Sequence, residues 1–208
     1  MARGKDKVLS NVIPQPGDFA CVPVPGEGGV LIRLGEKLNG SAFSQYQHAE
    51  IYVGTSDQLA AQYQYTAVAR KAQAIPAPFG WTFGAYPGGA RLVPLPCPPA
   101  ELPGALWSSG VIPLTDTERH DIVGAALVLR GVPYGFIDYL ALALHHFHVN
   151  DPALQRFIKS SKSLICSQLV SHVYTEAGVN LFTDGRWEGD VTPADLAQLI
   201  HSKEPAPS

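Results

Sequence analysis

Along His48-Ala49-Glu50-Ile51-Tyr52-Val53, side chains of different character alternate, and Gly54-Thr55-Ser56-Asp57 closes the run. A period of two with a turn signal at its end predicts a strand. His48, Glu50 and Tyr52 then share one face, and Ala49, Ile51 and Val53 the other. A second apolar run, Phe19 to Val24, follows the turn Pro14-Gln15-Pro16-Gly17-Asp18 and predicts another strand. Trp81 to Tyr86 and Ala90 to Leu95 flank Pro87-Gly88-Gly89 and predict a hairpin. Residues 58–65 fit a strand or a helix equally well. Pro96 to Gly110 is rich in proline and predicts a surface loop.

Helical spacing dominates the second half. Thr115-Asp116-Thr117-Glu118 opens a helix to about Arg130, ended by Gly131-Val132-Pro133. Phe136–Phe147 predicts an apolar helix, Asp151–Lys159 a short one, and Ser163–Ala177 a third, stopped by Gly178. Thr192-Pro193-Ala194-Asp195 combines a threonine cap, proline in the first turn and an acid, so a last helix starts there. Val30–Leu38 has helical spacing as well. The arrangement predicts an α+β chain with a flexible arm at 1–12, one domain at 13–201 and a flexible tail at 202–208.

Composition narrows the function classes. The chain has 208 residues, 46% of them hydrophobic, enough for one real core. Its net charge of -3 and the absence of a basic stripe argue against nucleic acid as a partner. No run approaches the roughly 20 apolar residues of a membrane span. The basic Met1–Lys7 start is not followed by an apolar run, so the expectation is synthesis in the cytoplasm without a secretory signal. Cys21, Cys97 and Cys166 are too few and too scattered for a disulfide framework.

Two positions carry chemistry. Cys166 falls in the first turn of the Ser163 helix, where unpaired N–H groups favour thiolate over thiol. His48 opens the strand described above, and a histidine so placed can take a proton from a thiol. Each has a plainer reading: cysteine packs as a small hydrophobe, and a strand histidine is commonly satisfied by its neighbours. Cys21 and Cys97 lack cap context and read as structural. His145-His146-x-His148 closes a helix without a spaced partner set, so no metal is expected.

Several segments together resemble the permuted branch of the NlpC/P60 papain-like superfamily, which includes YiiX-like proteins and lecithin:retinol acyltransferase relatives. They are Pro16-Gly17-Asp18, His48 to Gly54, Tyr86 to Leu92, Gly131-Val132-Pro133-Tyr134-Gly135, Leu164 to Val170 and Val191 to Leu196, in that order. The resemblance implies a circularly permuted papain-like fold, a small antiparallel sheet on helices with the nucleophile helix late in the chain. It implies that Cys166 attacks a carbonyl, that His48 activates the thiol, and that backbone N–H groups at the helix start hold the oxyanion. Glu50 is the candidate third residue, and Tyr134, Ser167 and Tyr52 are candidates for contacting substrate. No cofactor is implied.

One departure stands out. Relatives often carry a polar side chain on the strand after the histidine, and the corresponding position here is Gly84. Glu50 shares the face of His48 but lies about 6–7 Å along the strand. Gln62 is a further candidate if residues 58–65 form the neighbouring strand. The reading is therefore a thiol hydrolase acting on an amide or ester, such as a cell-wall peptide. The alternatives are a non-catalytic binding or virion module that keeps the fold, and an acyltransferase acting on lipid. A cell-wall substrate requires delivery by a phage particle or a secretion apparatus.

Overall fold

The computed structural model describes residues 13–24, 45–63, 74, 76–86, 88–132 and 166–203. They form an α+β arrangement with one antiparallel sheet of five strands and four α-helices. The strands are β1 (Phe19–Val22), β2 (His48–Gly54), β3 (Trp81–Tyr86), β4 (Gly89–Pro94) and β5 (Leu106–Trp107). The helices are α1 (Ser56–Tyr63), α2 (Asp116–Val128), α3 (Cys166–Glu176) and α4 (Pro193–Lys203). Sheet order is β4-β3-β2-β1-β5, so β2 is central.

Strand alternation divides the sheet into two chemistries. Ala49, Ile51 and Val53 of β2, Phe83 and Ala85 of β3, and Phe19 and Cys21 of β1 enter one hydrophobic core. That core also takes Ile122, Val123 and Ala126 of α2, Leu169, Val170, Val173 and Tyr174 of α3, and Leu196 and Ile200 of α4. The residues between them in sequence, His48, Glu50 and Tyr52 of β2 and Thr82, Gly84 and Tyr86 of β3, occupy the opposite face.

Local chemistry explains the element boundaries. Thr115 caps α2 through its side chain, and Glu118 returns the bond to the Thr115 backbone, a complete capping box. At α4, Thr192 Oγ1 accepts from Asp195 N at 3.1 Å, while Thr192 N and Oγ1 both donate to Asp195 Oδ2. Gly178 takes φ 78° just past α3, a conformation that disfavours side-chain residues and ends the helix. Helix α4 continues through Lys203, two residues into the segment expected to be tail.

Three expectations change. Residues 56–63 are helical, which removes the strand option for 58–63. The expected loop at 96–110 holds a 3₁₀ turn, Pro99–Glu101, and strand β5, which pairs with β1 through Ala20↔Trp107 and Cys21↔Leu106. Strand β1 ends at Val22 rather than Val24. The expected arm at 1–12, the helices at Val30–Leu38, Phe136–Phe147 and Asp151–Lys159, Tyr134 and the His145–His148 cluster lie outside the described residues.

A buried acid ties β1 to the helices. Asp18, 1% exposed, forms an ion pair with Arg119 at 2.8 Å, and its other carboxylate oxygen accepts from Ser109 Oγ and Gln15 N, each at 2.8 Å. Gly17 beside it has φ 93°, and a Cβ there would stand 3.1 Å from Arg119 Cα. The Gly17 carbonyl accepts from Tyr174 Oη at 2.6 Å, which anchors α3 to the same turn. Removing one partner of a buried, hydrogen-bonded charge leaves the other groups unsatisfied. Asp18→Ala is expected to lower stability by about 3 kcal/mol, which for a chain of this size is roughly 6–12 °C in Tm. A thermal melt checks it, and a shift under about 2 °C would show that the network contributes little.

Candidate active site

His48 is the first residue of β2, where Val22 of β1 pairs with it on one side. On the other side β3 pairs antiparallel through Ile51↔Phe83 and Tyr52↔Thr82. Extending that register puts Glu50 opposite Gly84 and His48 opposite Tyr86. Side-chain geometry agrees. The rings of His48 and Tyr86 are 4.7 Å apart, tilted by 51°, and a Cβ on Gly84 would lie 3.4 Å from His48 Nε2 and 3.3 Å from Glu50 Cβ. Gly84 therefore faces the imidazole, at the place where a third polar side chain was expected.

The consequence is visible at the ring. His48 Nε2 is buried and has no hydrogen-bond partner, the Cys166 sulfur included. Burial pulls the imidazole pKa down from 6.5 to about 4, so the ring is neutral at pH 7. A buried ring nitrogen without a partner is unusual, and it calls for an explanation in function or strain. The depressed pKa also sets a sign for stability. The folded state resists protonating His48, so this contribution is complete above pH 6.5 and is lost as pH falls towards 4. Glu50, pushed upward by burial, acts in the opposite sense, because the folded state favours its protonated form. The two groups must therefore be separated by mutation. The acid-side loss between pH 6.5 and 4 is expected to shrink in His48→Gln, measured by urea unfolding across that range. An unchanged slope would assign the loss to other groups.

Glu50 does not touch the imidazole nitrogen it was expected to serve. Its Oε2 accepts from Thr82 Oγ1 at 2.9 Å and from Tyr86 Oη at 2.5 Å, so the carboxylate is turned across to β3. Two hydroxyl donors on one oxygen are the pattern of an ionised carboxylate and offset the burial that pushes its pKa up. Tyr86 responds reciprocally: burial and the adjacent carboxylate raise its pKa far above the usual phenol value, which keeps the proton on the phenol. Arg91 of β4 lies over the same ring, 5.2 Å from its centre.

Cys166 belongs to the hydrophobic core and is 4% exposed. Helix α3 is described from this residue onward, and Ser163, its expected cap, lies outside the described residues. The helix packs on both β2 and β3. Cys166 is close enough to Tyr86 that charge on its sulfur contributes to raising the phenol pKa. Tyr86 thus packs against His48 and is within electrostatic reach of Cys166. Sequence reading placed it in the hairpin but assigned it no role. Its clue was position: the last residue before Pro87-Gly88-Gly89, on the same alternation as Thr82 and Gly84.

The remaining candidates take other places. Ser167 is fully buried and donates its hydroxyl to the Val191 carbonyl at 2.7 Å, so it fastens α3 to the segment before α4 instead of facing a substrate. Tyr52 is 6% exposed, with its ring edge-on to Trp107 at 6.3 Å, and burial raises its pKa. Gln62 is exposed on α1 and not on a neighbouring strand, so it is no partner for His48 by the route expected. Cys21 donates to the Pro193 carbonyl at 3.9 Å in the core. A cavity of about 220 Å³ beside α3, lined by residues such as Ser171, Phe182, Arg186 and Trp187, contains neither His48 nor Cys166. Among the described residues no cluster of three or more His, Cys, Asp or Glu could hold a metal ion, and no helix is long and apolar enough to cross a membrane.

No protein-family model matches this sequence, and neither does any curated protein or solved structure.

Proposed function

We propose that the chain is a thiol hydrolase of permuted papain-like type, in which Cys166 attacks the carbonyl of an amide or ester and His48 takes the thiol proton. The observation that carries this reading is the neutral, buried His48 with an unpartnered Nε2, set beside a tyrosine within electrostatic reach of Cys166. A general base must be unprotonated before it acts, and at pH 7 this imidazole is. The acyl-enzyme that follows is released by water, or by an amine or alcohol in a transferase. A cell-wall peptide or an acyl lipid is the substrate class that the family resemblance suggests.

A second reading has its own support. Gly84 withholds the polar side chain that would hold the imidazole, and no hydrogen bond joins Nε2 to the sulfur. Those features favour a binding module that keeps the fold without turnover. The pH dependence of iodoacetamide labelling at Cys166 separates the two. Labelling well below the roughly 8.5 pKa of a free thiol supports the hydrolase. Labelling at or above it supports the binding module.

A further inference from the structure

An imidazole that works as a base is ordinarily held by a third group, most often through the ring nitrogen that does not face the nucleophile. In this chain Nε2 points at a glycine and has no partner. What fixes the ring must come from elsewhere. The one aromatic contact of His48 among the described residues is with Tyr86, 4.7 Å between ring centres. Tyr86 in turn has little freedom. Its hydroxyl donates to Glu50, Glu50 is fixed by Thr82, and Arg91 lies over its ring.

We infer that Tyr86 is the positioning residue for His48, doing by ring contact what a hydrogen-bonding side chain at position 84 would otherwise do. Glu50 then serves the site through Tyr86 and not by touching the base. Gly84 becomes part of the same device. A Cβ there would come within 3.1 Å of Tyr86 Cε2, so a side chain at 84 would push the tyrosine ring from its present place by a few tenths of an ångström. The inference rests on the thiol-hydrolase reading for its purpose, but its geometry is testable apart from turnover.

The test uses the full chain and four variants: Tyr86→Phe, Tyr86→Leu, Gly84→Asn, and the double variant Tyr86→Leu/Gly84→Asn. Two quantities are read. One is the rate of Cys166 alkylation against pH. The other is the pair of ¹⁵N shifts of His48, which report tautomer and whether the ring holds a single state. Tyr86 is in ring contact with His48, and the charged groups that act on Tyr86 are Glu50 on β2, Arg91 of β4 over its ring and Cys166 on α3.

Tyr86→Leu is expected to slow neutral-pH alkylation about 10- to 100-fold, move the profile towards a free thiol, and mix the His48 tautomers. Tyr86→Phe keeps the ring but frees it from Glu50, and about a 3- to 10-fold loss is expected. Gly84→Asn alone is crowded by the tyrosine and gains nothing. In the double variant the amide reaches Nε2 and restores both the profile and a single tautomer. A folded Tyr86→Leu with wild-type profile and shifts overturns the inference, as does a double variant no better than Tyr86→Leu. If Tyr86→Leu does not fold, Tyr86→Phe decides on the same two readings. If wild-type Cys166 labels no faster than a free thiol, the hydrolase reading fails instead. The ¹⁵N shifts then still say whether Tyr86 holds the ring.

Discussion

Cys166→Ala is expected to abolish turnover, by at least about 10⁴-fold, while the protein stays folded. The two halves have different physical sources. Without the sulfur there is no covalent intermediate, and a bound water cannot replace it at a site 4% exposed and enclosed by core residues. Folding is little affected because alanine keeps the helix and removes one buried atom. The loss is of the order of 1 kcal/mol, a few degrees in Tm. The comparison that carries weight is with Cys97→Ala, at a half-buried cysteine between prolines. That variant is expected to keep wild-type activity. A dead Cys97→Ala beside an active Cys166→Ala would move the nucleophile to the other end of the molecule.

His48→Ala is expected to lose about 10²- to 10⁴-fold in activity, the usual contribution of a positioned base. It should also erase the low-pH component of Cys166 alkylation, leaving the profile of an ordinary thiol near 8.5. Stability moves in a less familiar direction. His48 brings a buried nitrogen with no partner, so removing the ring relieves an unsatisfied group as well as opening a cavity. The net change in Tm is expected to be smaller than for Asp18→Ala, whose carboxylate is fully engaged. Activity and stability measured on the same two variants give that contrast directly. If His48→Ala retains activity and the alkylation profile of wild type, the Cys/His assignment is wrong.

Much of this architecture was legible because its signals are local. Thr115-Asp116-Thr117-Glu118 announces a helix start within four residues, and the structure starts α2 there with a capping box. Pro87-Gly88-Gly89 separates two apolar runs that do pair, from Trp81↔Pro94 to Tyr86↔Gly89. Gly84 could be singled out because the family resemblance put the third residue on the strand before Pro87-Gly88-Gly89, and its missing Cβ does face Nε2. Strand β5 was not legible. Two residues, Leu106 and Trp107, have no periodicity to show, and their strand state comes from pairing with β1. Helix α1 was ambiguous because eight residues with one fully buried side chain carry almost no amphipathic pattern.

The Glu50–Tyr86–Thr82 network was illegible for a different reason. It depends on the β2–β3 register, and the two strands are joined by a long connection containing α1, not by a tight turn that would fix the pairing. Glu50 was seen as a neighbour of His48 along its own strand, whereas its partners come from across the sheet. Sequence gives faces. Register gives partners, and only the folded chain supplies it.

The place of β2 between β1 and β3 has a consequence for how the site survives fluctuation. An outer strand can peel away with the loss of a single ladder, but a strand laddered on both sides cannot leave alone. Amide protons along β2 should thus exchange with solvent only through the largest openings of the molecule. His48 at the head of that strand should keep its place through every smaller excursion and lose it only when the sheet itself comes apart.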